Sequence, residues 1–132
     1  KELWENAEKL KDKLDFKPSE TNRTPLEMLV ECATVPAFLT PTIRTQSLPP
    51  MDGEHPEFDL KSIAECKAHF ESVKGGLYEA IKDFPQEKLT ETIETPWGTF
   101  TWKSFLAYAY WNPMYHVGQL SYIQLMHGDT SY

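Results

Sequence analysis

Basic charge, cysteine and glycine are in short supply in this chain, and each shortage removes a class of function. Thirteen lysines and arginines stand against twenty aspartates and glutamates, a net charge of −7, and no basic cluster occurs along the sequence. A surface of that sign cannot displace phosphate counterions, so no nucleic acid is expected as partner. The two cysteines, Cys32 and Cys66, form no CxxC pair. Reduced core thiols in a cytoplasmic protein are the expectation that follows. No apolar run approaches the roughly 20 residues of a membrane span, and no membrane partner is expected. The chain opens on Lys1 rather than methionine, so its first helix is expected to lack a turn. Gly-rich phosphate loops, HExxH, zinc-finger spacing and a Ser-His-Asp order are all missing.

What is present is helical periodicity. With 132 residues the chain reads as one domain able to bury a core without staples. Leu3, Trp4, Ala7, Leu10 and Leu14 share one side of a helix over residues 2–14. Thr24, Pro25 and Glu27 form a capping box with proline at the first helical position, which starts a second helix there that runs through Leu26, Leu29, Val30, Ala33 and Ala37. Pro36 is expected to bend or end that helix near Leu39. Residues 41–58 hold four prolines without periodicity and read as a long loop. A third helix spans 59–84 through Leu60, Ile63, Phe70, Val73, Leu77, Ile81 and Phe84, stopped by Pro85. Gly75-Gly76 inside it predicts a bend or a close approach between helices. Thr92 to Thr101 reads as a short hairpin or extended turn around Pro96-Trp97-Gly98. The predicted fold is all-α: an antiparallel four-helix bundle with that hairpin before the last helix.

The last helix, 105–128, carries the unusual chemistry. Phe105, Ala109, Asn112, His116, Gln119, Leu120 and Ile123 fall on one stripe, which sets two amides and an imidazole on a core face. Buried polar groups need partners or a ligand. Tyr108, Tyr115 and Tyr122 repeat every seven residues beside them, and Trp111 and Tyr115 are positioned to wall a pocket with Tyr108 and Gln119. Asn112-Pro113 is also an N-cap pair that would split this helix in two. Of the other candidates, His69 reads as a boundary residue, His55 lies in the loop, His127 sits in the last turn, and Cys32 packs as a small apolar group.

Residues Asn112 to Leu120, with Tyr122-Ile123 and Gly128-Asp129, resemble the last-helix signature of the DinB-like superfamily, roughly HxxxHRGQL with a glycine about ten residues on. Thr24 to Ala33 is similar to that family's second helix, and the resemblance covers nearly the whole chain. It implies a four-helix bundle, often a dimer, in which three histidines hold a divalent metal (zinc, nickel or iron) for thiol-dependent transfer or isomerase chemistry. Matched position by position, the ligands become Glu31, Asn112 and His116, so one histidine of three remains; Val117 replaces the arginine and Pro113 interrupts the helix. A carboxylate and an imidazole are proper ligands for such a metal, whereas an asparagine carbonyl is a feeble third. On helical spacing Glu31 falls on Glu27's side and reads as half exposed. Two readings follow: a metal-free bundle that binds a small molecule or partner through an eroded site, and a divalent-metal-dependent transferase or hydrolase acting on a small thiol.

Overall fold

The computed structural model describes residues 1–50 and 58–131. Helices α1 (Glu2–Lys9), α2 (Pro25–Thr45), α3 (Ile63–Lys82) and α4 (Trp102–Met126) are joined by a hairpin, β1 (Thr92–Thr95) and β2 (Gly98–Thr101), placed between α3 and α4. α1 packs on α4 and α3, and α2 packs on α3 and α4. The polypeptide is therefore dominated by helix, as its periodicity predicts.

Local chemistry sets the boundaries. The α2 capping box forms as expected: Glu27 N donates to Thr24 Oγ1 at 3.1 Å and Thr24 N donates to the Glu27 carboxylate at 2.6 Å. The first helix is shorter than its pattern, because Lys11–Lys13 tighten into a 3-10 turn. α3 begins later than predicted, at Ser62, whose hydroxyl accepts from Glu65 N at 3.2 Å. In the hairpin Ile93 pairs with Phe100, and Gly98 takes a φ of 129° that favours glycine.

Helices run on through three prolines where a bend or end, a loop and a break were expected. α2 runs through Pro36 and Pro41 to Thr45, so residues 41–45 belong to a helix rather than a loop. Residues 51–57 of the expected loop, including His55, lie outside the described residues. Pro113 likewise sits inside an unbroken α4. Burial outweighs the local cost in each case: Leu39, Thr42 and Ile43 follow Pro36 into the core, and His116, Val117 and Leu120 follow Pro113. Thr40 also donates its hydroxyl to the Pro36 carbonyl at 2.7 Å. By length and mean hydropathy, 1.3, α2 matches a membrane span, although 44% of that stretch is buried inside the fold.

The core has two parts. One joins Leu3, Trp4, Ala7 and Leu10 of the first segment to Leu29, Ala33, Cys66, Val117, Leu120 and Ile123. The other joins Leu39, Ile43, Leu77, Ala80 and Phe84 to Ile93 of the hairpin and to Trp102 and Phe105. Asn112 and His116 lie on α4 between them.

Candidate functional site

Glu31 is the centre of a polar cluster that joins α2 to α4. Its Oε1 accepts from Asn112 Nδ2 at 2.6 Å and lies 3.1 Å from His116 Nε2, while its Oε2 accepts from the Arg23 guanidinium. Arg23 is anchored in turn by donating to the Glu27 carbonyl at 3.0 Å. Asn112 also donates to the Tyr108 hydroxyl at 3.2 Å, and His116 Nδ1 lies 2.7 Å from Gln119 Oε1. A neutral imidazole donates from Nε2 to Glu31 and accepts at Nδ1 from Gln119 once that amide is turned; a cationic ring donates to both.

All three positions matched to metal ligands thus converge. Asn112 and His116 are each 2% exposed, so two of the three polar residues predicted for a core face are in the core, while Gln119 is half-buried. Glu31 leaves 29% of its side chain exposed, consistent with its half-exposed place on the helix, and reaches inward from there. The hydrogen bond from His116 lowers the Glu31 carboxyl to about 2, helped by Arg23 and Asn112 and opposed by burial. Burial raises the Tyr108 phenol, and the nearby Glu31 charge adds to this. The Cys32 thiol is pushed up to about 12, first by burial and then by Glu31, which keeps it protonated and removes it as a nucleophile.

The predicted pocket wall is only partly realised. Tyr108 and Gln119 touch the cluster, but Trp111 and Tyr115 stand 55% and 50% exposed and stack on each other at 5.1 Å. They form a surface ladder because α4 turns that side away from the other helices. Tyr122, 67% exposed, lies on the same outer side rather than beside the buried stripe. Elsewhere, His69 sits edge-on to Phe58 at 5.0 Å, and His127 places Nδ1 3.1 Å from the Ile123 carbonyl in the last turn. Arg23 is the participant that pattern reading passed over. Its signal was position: it directly precedes the Thr24 cap, two helical turns before Glu31.

A groove of about 1310 Å³ opens among the four helices, lined by Val35, Phe70, Leu77, Leu106 and Ala109 and reaching Cys32 and Asn112. Asn112 connects groove and cluster. Its Nδ2 serves Glu31 and Tyr108, and its Oδ1 is buried with no hydrogen-bond partner.

The cluster does not fit the metal implied by the resemblance. Among the described residues no three His, Cys, Asp or Glu side chains are grouped to hold a metal ion. The one carboxylate already receives Arg23, Asn112 and His116, so a guanidinium occupies the place of a second cation. Comparison with protein-family models, with curated proteins and with solved structures finds nothing that matches this chain.

Proposed function

We propose that the chain is a DinB-like antiparallel four-helix bundle that works without a metal, binding an apolar small molecule in the groove beside Asn112. The observation that carries this reading is the saturation of Glu31. Arg23, Asn112 and His116 supply its oxygens with internal donors where the family places a cation. The ring of packing, α1 against α4, α4 against α2, α2 against α3 and α3 against α1, supports the bundle.

The groove supports the ligand. Its lining is chiefly apolar, and Asn112 Oδ1 is a buried acceptor without a donor at its edge. An apolar molecule carrying one hydroxyl or amide N–H would bury hydrocarbon along Leu77 and Leu106 and donate to Asn112. Such a hydrogen bond is worth on the order of 1 kcal/mol, more where it relieves an orphaned group. A metal-dependent transferase or hydrolase would need ligands this cluster does not free.

The test has two arms. Protein purified without a histidine tag and dialysed against chelator is expected to retain only substoichiometric zinc, nickel or iron and to keep its melting temperature. One metal per chain would return the transferase reading. In the second arm the neutral dye Nile red is titrated against wild type and Ala109→Trp, which fills the groove. Affinity should fall about tenfold or more in the variant; equal binding would remove the groove as the ligand site.

A further inference from the structure

The groove does not end at Asn112. Beyond it, on the side of α1, the lining changes from hydrocarbon to Asn6, Ser121, Gln124 and Asp129. Leu106, Pro113, Val117 and Gln124 follow one another at steps of seven, four and seven residues, so they form one row on the side of α4 that lines the groove. A glutamine ends a row that is otherwise apolar. It is 3% exposed, its Nε2 donates to Asp129 Oδ2 over a long 3.4 Å, and its Oε1 is buried with no hydrogen-bond partner among the described residues. Turning the amide over would set that oxygen against the Asp129 carboxylate, so the unpartnered atom is the acceptor. The donors around it are spent inward. Ser121 Oγ donates to the Val117 carbonyl at 2.8 Å, Asn6 Nδ2 donates to Ser121 at 2.9 Å, and the Ser131 backbone and hydroxyl donate to Asp129 Oδ1 at 2.9 and 2.6 Å. The lysines of the lining are also engaged: Lys9 donates to the Ser131 carbonyl at 3.0 Å, Lys74 pairs with Glu71, and Lys1 pairs with Glu5.

We propose that the ligand of this groove is a long-chain primary amine, its ammonium held at the Gln124–Asp129 end and its chain lying along Val117 and Pro113 toward Leu77 and Leu106. This rests on the groove being the ligand site and adds the head group to it. An ammonium carries three donors and no acceptor, which matches an end where an unpartnered amide oxygen lies beside a carboxylate. A carboxylate or phosphate head would meet Asp129 with like charge and bring Gln124 no donor. A hydroxyl would serve Gln124 but gain nothing from the Asp129 charge. The spacing asks for a long chain. Asn112 and Gln124 stand twelve residues apart, about 18 Å along α4, so a chain that reaches Leu77 and Leu106 from Gln124 passes Asn112 on its way. An amine with a hydroxyl in mid-chain would supply donors to both of the buried, unpartnered amide oxygens that line the groove.

Displacement of Nile red by decylamine, decanol and decanoate is the test, each kept below the concentration at which it self-associates and at physiological salt. Decylamine should displace the dye from wild type at a concentration about tenfold below that of decanol, with decanoate weakest. Gln124→Leu and Asp129→Asn should each remove most of that tenfold preference while leaving Nile red affinity within about twofold. Because Gln124→Leu leaves the net charge at −7, it separates recognition by this amide from the general attraction of a cation to an acidic chain. Asp129→Asn, at a half-buried site past the end of α4, keeps the proposal testable if the buried substitution unfolds the protein. Dye binding with equal displacement by all three compounds would overturn the head group and leave the groove standing as the ligand site. So would a preference for decanoate, which would hand the head group to Lys9 and Lys74, or an amine preference that survives both substitutions. If Nile red does not bind, calorimetry of decylamine alone decides: heat that disappears in Gln124→Leu sustains the amine, and no heat with wild type overturns the amine and the groove together.

Discussion

The two ends of the molecule solve the same packing problem with different means. At the end built on Leu29, Ala33, Leu120 and Ile123, all four helices contribute, with α1 supplying Leu3, Trp4 and Ala7. At the other end α1 is absent, and the hairpin closes the core with Ile93 beside Trp102 and Phe105. Phe84 and Trp102 rings lie 5.0 Å apart there, and Trp102 and Phe105 5.5 Å, so aromatic bulk fills the space. The difference leaves a mark on the flank. Beyond the reach of α1, Leu77, Ile81 and Leu106 turn one side toward the open groove that α1 lines at its other end. Glu31, Asn112 and His116 occupy the junction of the two ends, which is why a polar cluster there is both buried and reachable.

The largest expected effect tests whether four helices make the tighter end. Leu120 and Leu39 are each 0% exposed, one in each half of the core. Truncating a buried leucine to alanine costs about 2–5 kcal/mol, less where the surroundings can collapse into the space. Leu120→Ala is expected near the top of that range and Leu39→Ala near the bottom, because the groove gives the hairpin end room to relax. Urea unfolding of both variants measures the order. Equal losses, or the reverse order, would break the comparison.

The junction comes next. Replacing Glu31 by glutamine keeps an acceptor but removes the charge that Arg23, Asn112 and His116 point at, at an expected cost of about 1–3 kcal/mol near neutral pH. Acid behaviour sharpens the point. Glu31 sits at about 2 in the fold against an ordinary 4.5, so its contribution is complete above 4.5 and is lost as pH falls toward 2. Between those values wild type should lose stability more steeply than Glu31→Gln. Parallel stability-versus-pH curves for the two proteins would mean that the cluster is not held by this carboxylate.

The end with four helices was more legible in the sequence than the end with the hairpin, and the reason is physical. Leu3, Trp4, Ala7 and Leu10 announce their helix by spacing, and Thr24-Pro25-Leu26-Glu27 announces the next by its cap. Both are local signals. Pro36, Pro41 and Pro113 mislead because their local cost, about 3 kcal/mol or more each, is outweighed by burial that only the assembled core provides. His116 and Asn112 were readable as buried polar residues from the stripe on α4. Trp111 and Tyr115 were not readable as surface, because an apolar residue on an all-apolar helix does not say which face meets the core. Arg23 was hidden for a related reason: a connection has no period, so a side chain folding back from it onto Glu31 leaves no pattern.

The smallest effect concerns how closely α2 and α3 approach beside the groove. Gly75 and Gly76 lie inside α3 with ordinary helical backbone, and neither takes a positive φ. A Cβ at Gly75 would meet nothing within 4 Å, whereas one at Gly76 would meet Thr40 Cγ2 of α2 at 3.5 Å, an ordinary contact. A Cβ is thus tolerated at both glycines, although Gly76 does lie where α3 meets α2, the contact that was one of the two readings of the pair. Alanine should raise helix propensity at either site by about 0.5–1 kcal/mol. Gly76→Ala has a small further gain available, since its methyl would cover Thr40 at a half-buried position. Thermal melts of the two single variants separate the cases. If Gly75→Ala stabilises while Gly76→Ala destabilises, the Thr40 side chain cannot accommodate a methyl at Gly76, and the hairpin end is packed as tightly as the other.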